Sequence, residues 1–126
     1  MKHTEPTALL PLTPLSFHIL LALADQHRHG YAIIKDVEHR SEGILRPGTG
    51  TLYAAIQRLL DDGLIEESDD RPDPPEDDAR RRYYVLTGLG RRVAQAEARR
   101  MDHLVALARE ARLLTGPRPA HAGGDA

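Results

Sequence analysis

Apolar positions along the chain fall into helical stripes and two short extended runs. Between Thr13 and Ala24, Leu15, Ile19, Leu20 and Leu23 recur at spacings of three and four, one face of a helix. Pro14 suits its first turn, where a backbone N–H has no intrahelical partner. After a polar connection at Asp25–Arg28, a second helix is predicted over Gly30–Ser41. Its apolar face uses Val37 with Ile33, or Tyr31 and Ile34 with Val37, and its solvated face carries Lys35, Asp36, Glu38 and Arg40. Glu42–Gly48 reads as a turn. A third helix is predicted over Thr49–Asp61, with Leu52, Ala55, Ile56 and Leu59 at i, i+3, i+4 and i+7, and Leu60 widening the stripe. Gly63 stands where a helix ending needs positive φ.

The pattern then changes period. Leu64–Ser68 and Arg80–Leu86 read as two strands. Asp69–Ala79 between them holds Pro72, Pro74 and Pro75, which exclude helix and central strand. Thr87 is a favourable N-cap for a last helix over Gly88–Leu114, roughly 40 Å long at 1.5 Å per residue. Two apolar stripes overlap on it: Met101, Leu104, Val105 and Ala108, and Leu104, Leu107, Ala111 and Leu114. One stripe serves the home domain, and the other needs a partner, met most simply by a second copy. Residues 1–8, and the Gly-, Pro- and Ala-rich residues 115–126, are expected to be disordered. The fold class is therefore mainly α with a small β-hairpin, followed by a long dimerisation helix.

Charge sharpens this picture. The formal net charge is −2, which at first argues against a polyanionic partner. Residues 61–78, however, hold ten acids and one base, so the other residues carry 16 Lys and Arg against 9 Asp and Glu. An acidic loop masks a basic body. Non-specific binding to nucleic acid should be weak and salt-sensitive.

The third helix opposes its apolar stripe with Thr51, Ala54, Gln57 and Arg58, a small, polar and basic face that fits a DNA major groove or simply faces solvent. The surrounding residues separate these readings. Leu12-Thr13-Pro14-Leu15, Ile19-Leu20-Leu21-Ala22-Leu23, His29-Gly30-Tyr31, Gly50-Thr51-Leu52-Tyr53, Gly63-Leu64-Ile65, Arg81-Arg82-Tyr83-Tyr84 and Leu86-Thr87, in this order and spacing, resemble the PadR family of bacterial transcriptional regulators over about residues 12–114. The resemblance implies a winged helix-turn-helix over residues 9–87 and a dimerisation helix over 88–114. It also implies a cytoplasmic, ligand-controlled regulator. The expected function is a homodimeric, sequence-specific DNA-binding repressor on a pseudo-palindromic operator, with a small-molecule effector. The alternative is a winged-helix protein-interaction module without DNA binding, to which the acidic loop points. The sequence departs from the family where Thr49 precedes Gly50-Thr51-Leu52-Tyr53, a place usually held by proline; here proline lies two residues earlier, at Pro47.

The candidate DNA-binding residues follow from this arrangement. Thr49, Gly50 and Thr51 lie at the N-terminal end of the third helix, where backbone N–H groups favour phosphate. Tyr53, Gln57 and Arg58 reach phosphate or base, although Tyr53 serves equally as a packing residue. Arg46 precedes the helix as a phosphate clamp. Arg80, Arg81 and Arg82 meet the duplex at the base of the hairpin, or pair with the acidic loop. Tyr31, with His29, either touches phosphate or joins the core. Met101, Leu104, Val105, Leu107, Ala108, Ala111 and Leu114 are the dimerisation set. Aromatic stacking of an effector on the last helix is not expected, because that helix has no aromatic residue; Phe17 and His18 on the first helix are the alternative.

Other classes find little support. There is no cysteine, so thiolate metal sites and disulfides are excluded. Seven histidines show no His-x-x-x-His pair, and neither a metal nor another cofactor is expected. No phosphate loop or positioned nucleophile suggests an enzyme. The uncharged run from Leu9 to Ala24 is broken by Pro11 and Pro14 and is too short to cross a membrane.

Overall fold

The computed structural model describes residues 5–69 and 82–115. A 3-10 turn at Pro6–Leu9 leads into helix α1, Pro14–Ala22. Strand β1, Arg28–His29, runs directly into α2, Gly30–Arg40. Helix α3, Thr49–Asp61, is followed by β2, Ile65–Ser68, then β3, Tyr83–Leu86, and α4, Gly88–Glu110. The described strands form one antiparallel sheet in the order β1-β3-β2. Arg28 and His29 face Tyr84 and Tyr83, and Ile65 faces Leu86 at the other edge.

Local chemistry sets the boundaries. The Thr13 side chain accepts the Ser16 N–H at the start of α1. His29 Nδ1 accepts the Ala32 N–H and caps α2. Gly48 caps α3, so Thr49 is its first residue, and the displaced Pro47 lies outside the helix. Gly63 has φ 77°, and Leu64 N–H bonds back to Leu59 O, turning the chain from α3 into β2. Thr87 accepts the Gly90 N–H and donates to Gly63 O at 2.7 Å, so one hydroxyl joins the start of α4 to the end of α3.

Buried side chains from every layer meet in one core: Ile19, Leu20 and Leu23 of α1, Ile33 and Val37 of α2, Leu52, Ile56 and Leu59 of α3, then Leu64, Tyr84 and Val93. Gly90 lets α4 cross the sheet, since a Cβ there would run into the Leu64 carbonyl.

Several expectations are corrected. Residues 1–8 were expected to be disordered, yet Pro6–Leu9 form a 3-10 turn against α4, because Leu9 and Leu10 pack on the core. The Asp25–Arg28 connection ends in a strand, so the hairpin is part of a three-stranded sheet. Strand β3 begins at Tyr83, leaving Arg82 before it. Helix α4 ends at Glu110 rather than Leu114, because Arg112 adopts φ 64° and Leu113 N–H turns back to Ala108 O. Home-domain packing of α4 uses Leu89, Gly90, Val93, Ala94 and Glu97, all N-terminal to both of the expected stripes. Residues 1–4, most of the acidic loop and the tail from 116 lie outside the described residues.

Candidate nucleic-acid interface

Helix α3 turns Leu52, Ala55, Ile56 and Leu59 inward and leaves Thr49, Gly50, Thr51, Ala54 and Gln57 exposed. Its first turn has no acidic residue and no side-chain cap. The exposed backbone N–H groups and the helix dipole there favour an anion. A Cβ on Gly50 would meet no described atom within 4 Å, so nothing inside the protein requires glycine at that place. Gln57 donates to Asp61 at 3.0 Å on the outer face, an exposed i,i+4 bond. With Asp61 and Asp62 at the C-terminal end, phosphate is favoured at the N-terminal half of α3.

The flanks are occupied differently. Tyr53 is 43% exposed, and its phenol lies over Gly30, where any Cβ would collide with it. That contact fixes the start of α2 beside α3. Arg58 lies on the opposite flank and lines a hollow with Leu9, Pro11 and Asp62. Arg46 is exposed and folds back on its own turn, donating to Gly43 O at 3.1 Å.

Tyr31 is 56% exposed, so the core alternative for it does not hold. Its ring stacks near His29, with 6.5 Å between centroids, and carries Lys35 Nζ 5.3 Å above its centroid. The rings of His29 and Tyr83 meet edge to face at 5.3 Å, which ties this patch to β3. Lys35 belongs to the face of α2 expected to be solvated. Its position four residues after Tyr31 was the signal that the two share one patch.

At the hairpin, Arg82 donates to Glu67 Oε2 at 3.1 Å with both side chains largely exposed. Such a surface pair contributes about 0–1 kcal/mol, so Arg82 exchanges it readily for another anion. Arg80 and Arg81 lie outside the described residues. Tyr84 beneath the hairpin holds its phenolic proton more tightly than an isolated tyrosine, through burial first and then the neighbouring Tyr53 and Glu67. Glu97, an acid that the sequence reading passed over, is fully buried on the inner face of α4. It interrupts the stripe begun by Gly90 and Val93, with Arg100 three residues on; that was the readable signal.

Three helices with a three-stranded sheet behind them, α3 presenting a polar outer face beside a hairpin, define a winged helix-turn-helix. The model of the transcriptional regulator PadR-like family matches residues 19–96. The chain belongs to the PadR-like family of transcriptional regulators, whose members regulate transcription by binding DNA. Solved structures with the same fold include a PadR family transcription regulator from Clostridium difficile R20291. It has a TM-score of 0.64 and 22% identity, covering 81% of this chain and 100% of that one. A PadR-like transcriptional regulator from Bacillus cereus gives a TM-score of 0.65 at 18% identity, covering 82% and 93%. RosR of H. salinarum, solved in a complex, gives 0.59 at 24% identity, covering 87% and 100%.

Two curated relatives add sequence similarity. A 37.1 kDa protein in transposon TN4556 of Streptomyces fradiae is 38% identical over 86 residues, 68% of this chain but 22% of that protein. Protein X of Lysinibacillus sphaericus is 32% identical over 73 residues, 58% of this chain and 64% of its own length. The match therefore spans less than two thirds of either relative. No helix among the described residues is long and apolar enough to cross a membrane.

Proposed function

We propose that this chain is a homodimeric repressor that reads a pseudo-palindromic operator with α3 and responds to a small-molecule effector in the cytoplasm. The observation that carries the reading is the outer face of α3. Its first turn offers N–H groups without competing acids, and Gln57 stands one helical turn beyond Tyr53 and Ala54 at base-reading length. In this reading Thr49, Gly50 and Thr51 approach phosphate. Gln57 reads a base edge, with adenine its natural bidentate partner. Arg46, Tyr31, Lys35 and Arg82 fix the register on the backbone, joined by Arg80 and Arg81 at the hairpin. Tyr53 and Arg58 act at the margins, one holding α2 and the other facing the N-terminal segment.

The second half of α4 supports the dimer. Leu104, Val105 and Leu107 are 48%, 38% and 44% exposed on the same helix as Met101 and Ala108, and Ala111 and Leu114, the latter 43% exposed, follow just past its end. A helix of 23 residues is roughly 34 Å long, and only its first half lies on the home domain. Covering this apolar surface with a second copy relates two α3 helices by a two-fold axis. Half-sites should then lie about one helical turn apart. The effector's place is the groove between α1 and α4, about 400 Å³, walled by Phe17, His18, Leu21 and Met101. A repressor of this kind releases DNA when the reading heads change separation.

Fluorescence anisotropy on the full chain tests the reading, with labelled duplex from upstream of its own gene and scrambled duplex as control. The chain should prefer the upstream duplex, with a linear fall of log affinity with log salt between about 50 and 200 mM. Equal, salt-insensitive binding to both duplexes would contradict it.

A further inference from the structure

Glu97 poses a physical question. A carboxylate with no solvent exposure is costly to bury unless its oxygens are fully used. Both are used. Arg100, whose side chain is partly exposed, donates to Oε1 at 2.6 Å and to Oε2 at 3.0 Å. Oε2 also accepts the backbone N–H of Leu12 at 3.0 Å, across 85 residues of sequence. The buried acid on α4 therefore fastens the segment that precedes α1.

That segment has a second neighbour. The 3-10 turn packs on α4, and Leu9, Leu10 and Leu12 pack against the core that contains Leu59. On its far side, Leu9 and Pro11 wall a hollow of about 140 Å³ together with Arg58, Leu59 and Asp62 at the last turn of α3. Thr13 then caps α1. Helix α4 packs chiefly on α1, β3 and this turn, while α3 packs on α1, α2 and β2. Residues 9–13 thus lie between α4, to which Leu12 is hydrogen-bonded, and the last turn of α3, with which they line one hollow.

We propose that residues 9–13 form a coupling strap that carries displacements of α4 to the C-terminal end of α3, latched by the Leu12 N–H···Glu97 hydrogen bond. This rests on the DNA-reading role of α3 and goes beyond it by naming the moving part. Contiguous packed and hydrogen-bonded segments are one route by which distant sites couple, and coupling evidence decides whether it is used. The strap gives α4 a route to α3 that does not pass through α1.

Hydrogen exchange on the full chain tests it, comparing wild type, Glu97→Gln, Glu97→Leu and Leu9→Ala. Glu97→Gln keeps an acceptor for Leu12 and should raise exchange at residues 12 and 57–62 no more than in α2 and β2, through its general loss of stability. Glu97→Leu removes the latch and should speed exchange at both places on the order of tenfold, with α2 and β2 unchanged. Loosening at Leu12 alone would overturn the proposal. If Glu97→Leu loosens the whole chain, Leu9→Ala decides: faster exchange at 57–62 with Leu12 still protected supports the strap, and unchanged exchange at 57–62 overturns it. Duplex affinity measured on the same proteins separates the two readings. Coupled exchange in a chain that binds no duplex would remove the DNA reading and leave the mechanical link standing.

Discussion

Thr87 and Glu97 show how much one side chain holds in a chain this small. The Thr87 hydroxyl satisfies an N–H of α4 and the carbonyl of Gly63, so Thr87→Ala should lower stability by about 1–2 kcal/mol, read from the shift of a urea denaturation midpoint. Thr87 was legible as a cap from sequence, but its second bond was not, because that needs the fold to bring Gly63 alongside. For Glu97, the Arg100 hydrogen bonds come first and the Leu12 N–H adds to them; together they outweigh burial and hold the carboxyl below its ordinary range. A lowered folded-state pKa contributes stability that is complete above the unfolded-state value and is lost as pH falls through the folded-state value. Glu97→Gln should therefore cost about 1–3 kcal/mol near neutrality. The gap to wild type should narrow on acidification through the carboxylate range, and a gap independent of pH would contradict this.

Among the elements, α3 was the most readable, since its Leu52, Ala55, Ile56 and Leu59 stripe and its Gly63 ending are local properties of sequence. Strand β1 was missed because two residues carry no periodicity; Arg28 and His29 become a strand only because β3 offers a free edge. The glycines divide in the same way. Gly90 touches a backbone carbonyl of the neighbouring element, so Gly90→Ala should destabilise by about 2–3 kcal/mol through forced displacement of α4. Gly50 faces open space, so Gly50→Ala should leave the melting temperature unchanged or raise it. If the backbone there approaches phosphate, the same substitution should weaken duplex binding about tenfold or more. A variant that melts later and binds as well as wild type would remove Gly50 from the interface.

At the scale of the whole molecule, the half-packed α4 supports the proposed dimer. Sequence supplied the stripes, yet placed home-domain contact on residues that the fold leaves outside, because periodicity gives a face but not how far along a helix the domain extends. Leu104→Asp with Leu107→Asp should convert a dimer into a monomer by light scattering while leaving the helical circular dichroism of the folded domain. A variant that remains dimeric would move the interface elsewhere. The acids of the loop after β2 should repel phosphate, so Asp69→Asn should tighten non-specific duplex binding slightly at low salt. The most direct test of the central claim is selection from a random duplex pool by wild type and Gln57→Ala in parallel. Wild type should select a two-fold-related consensus, with half-sites about one helical turn apart, relaxed at one symmetric pair of positions in the variant. No enriched sequence, or identical consensus from both proteins, would contradict reading by the outer face of α3.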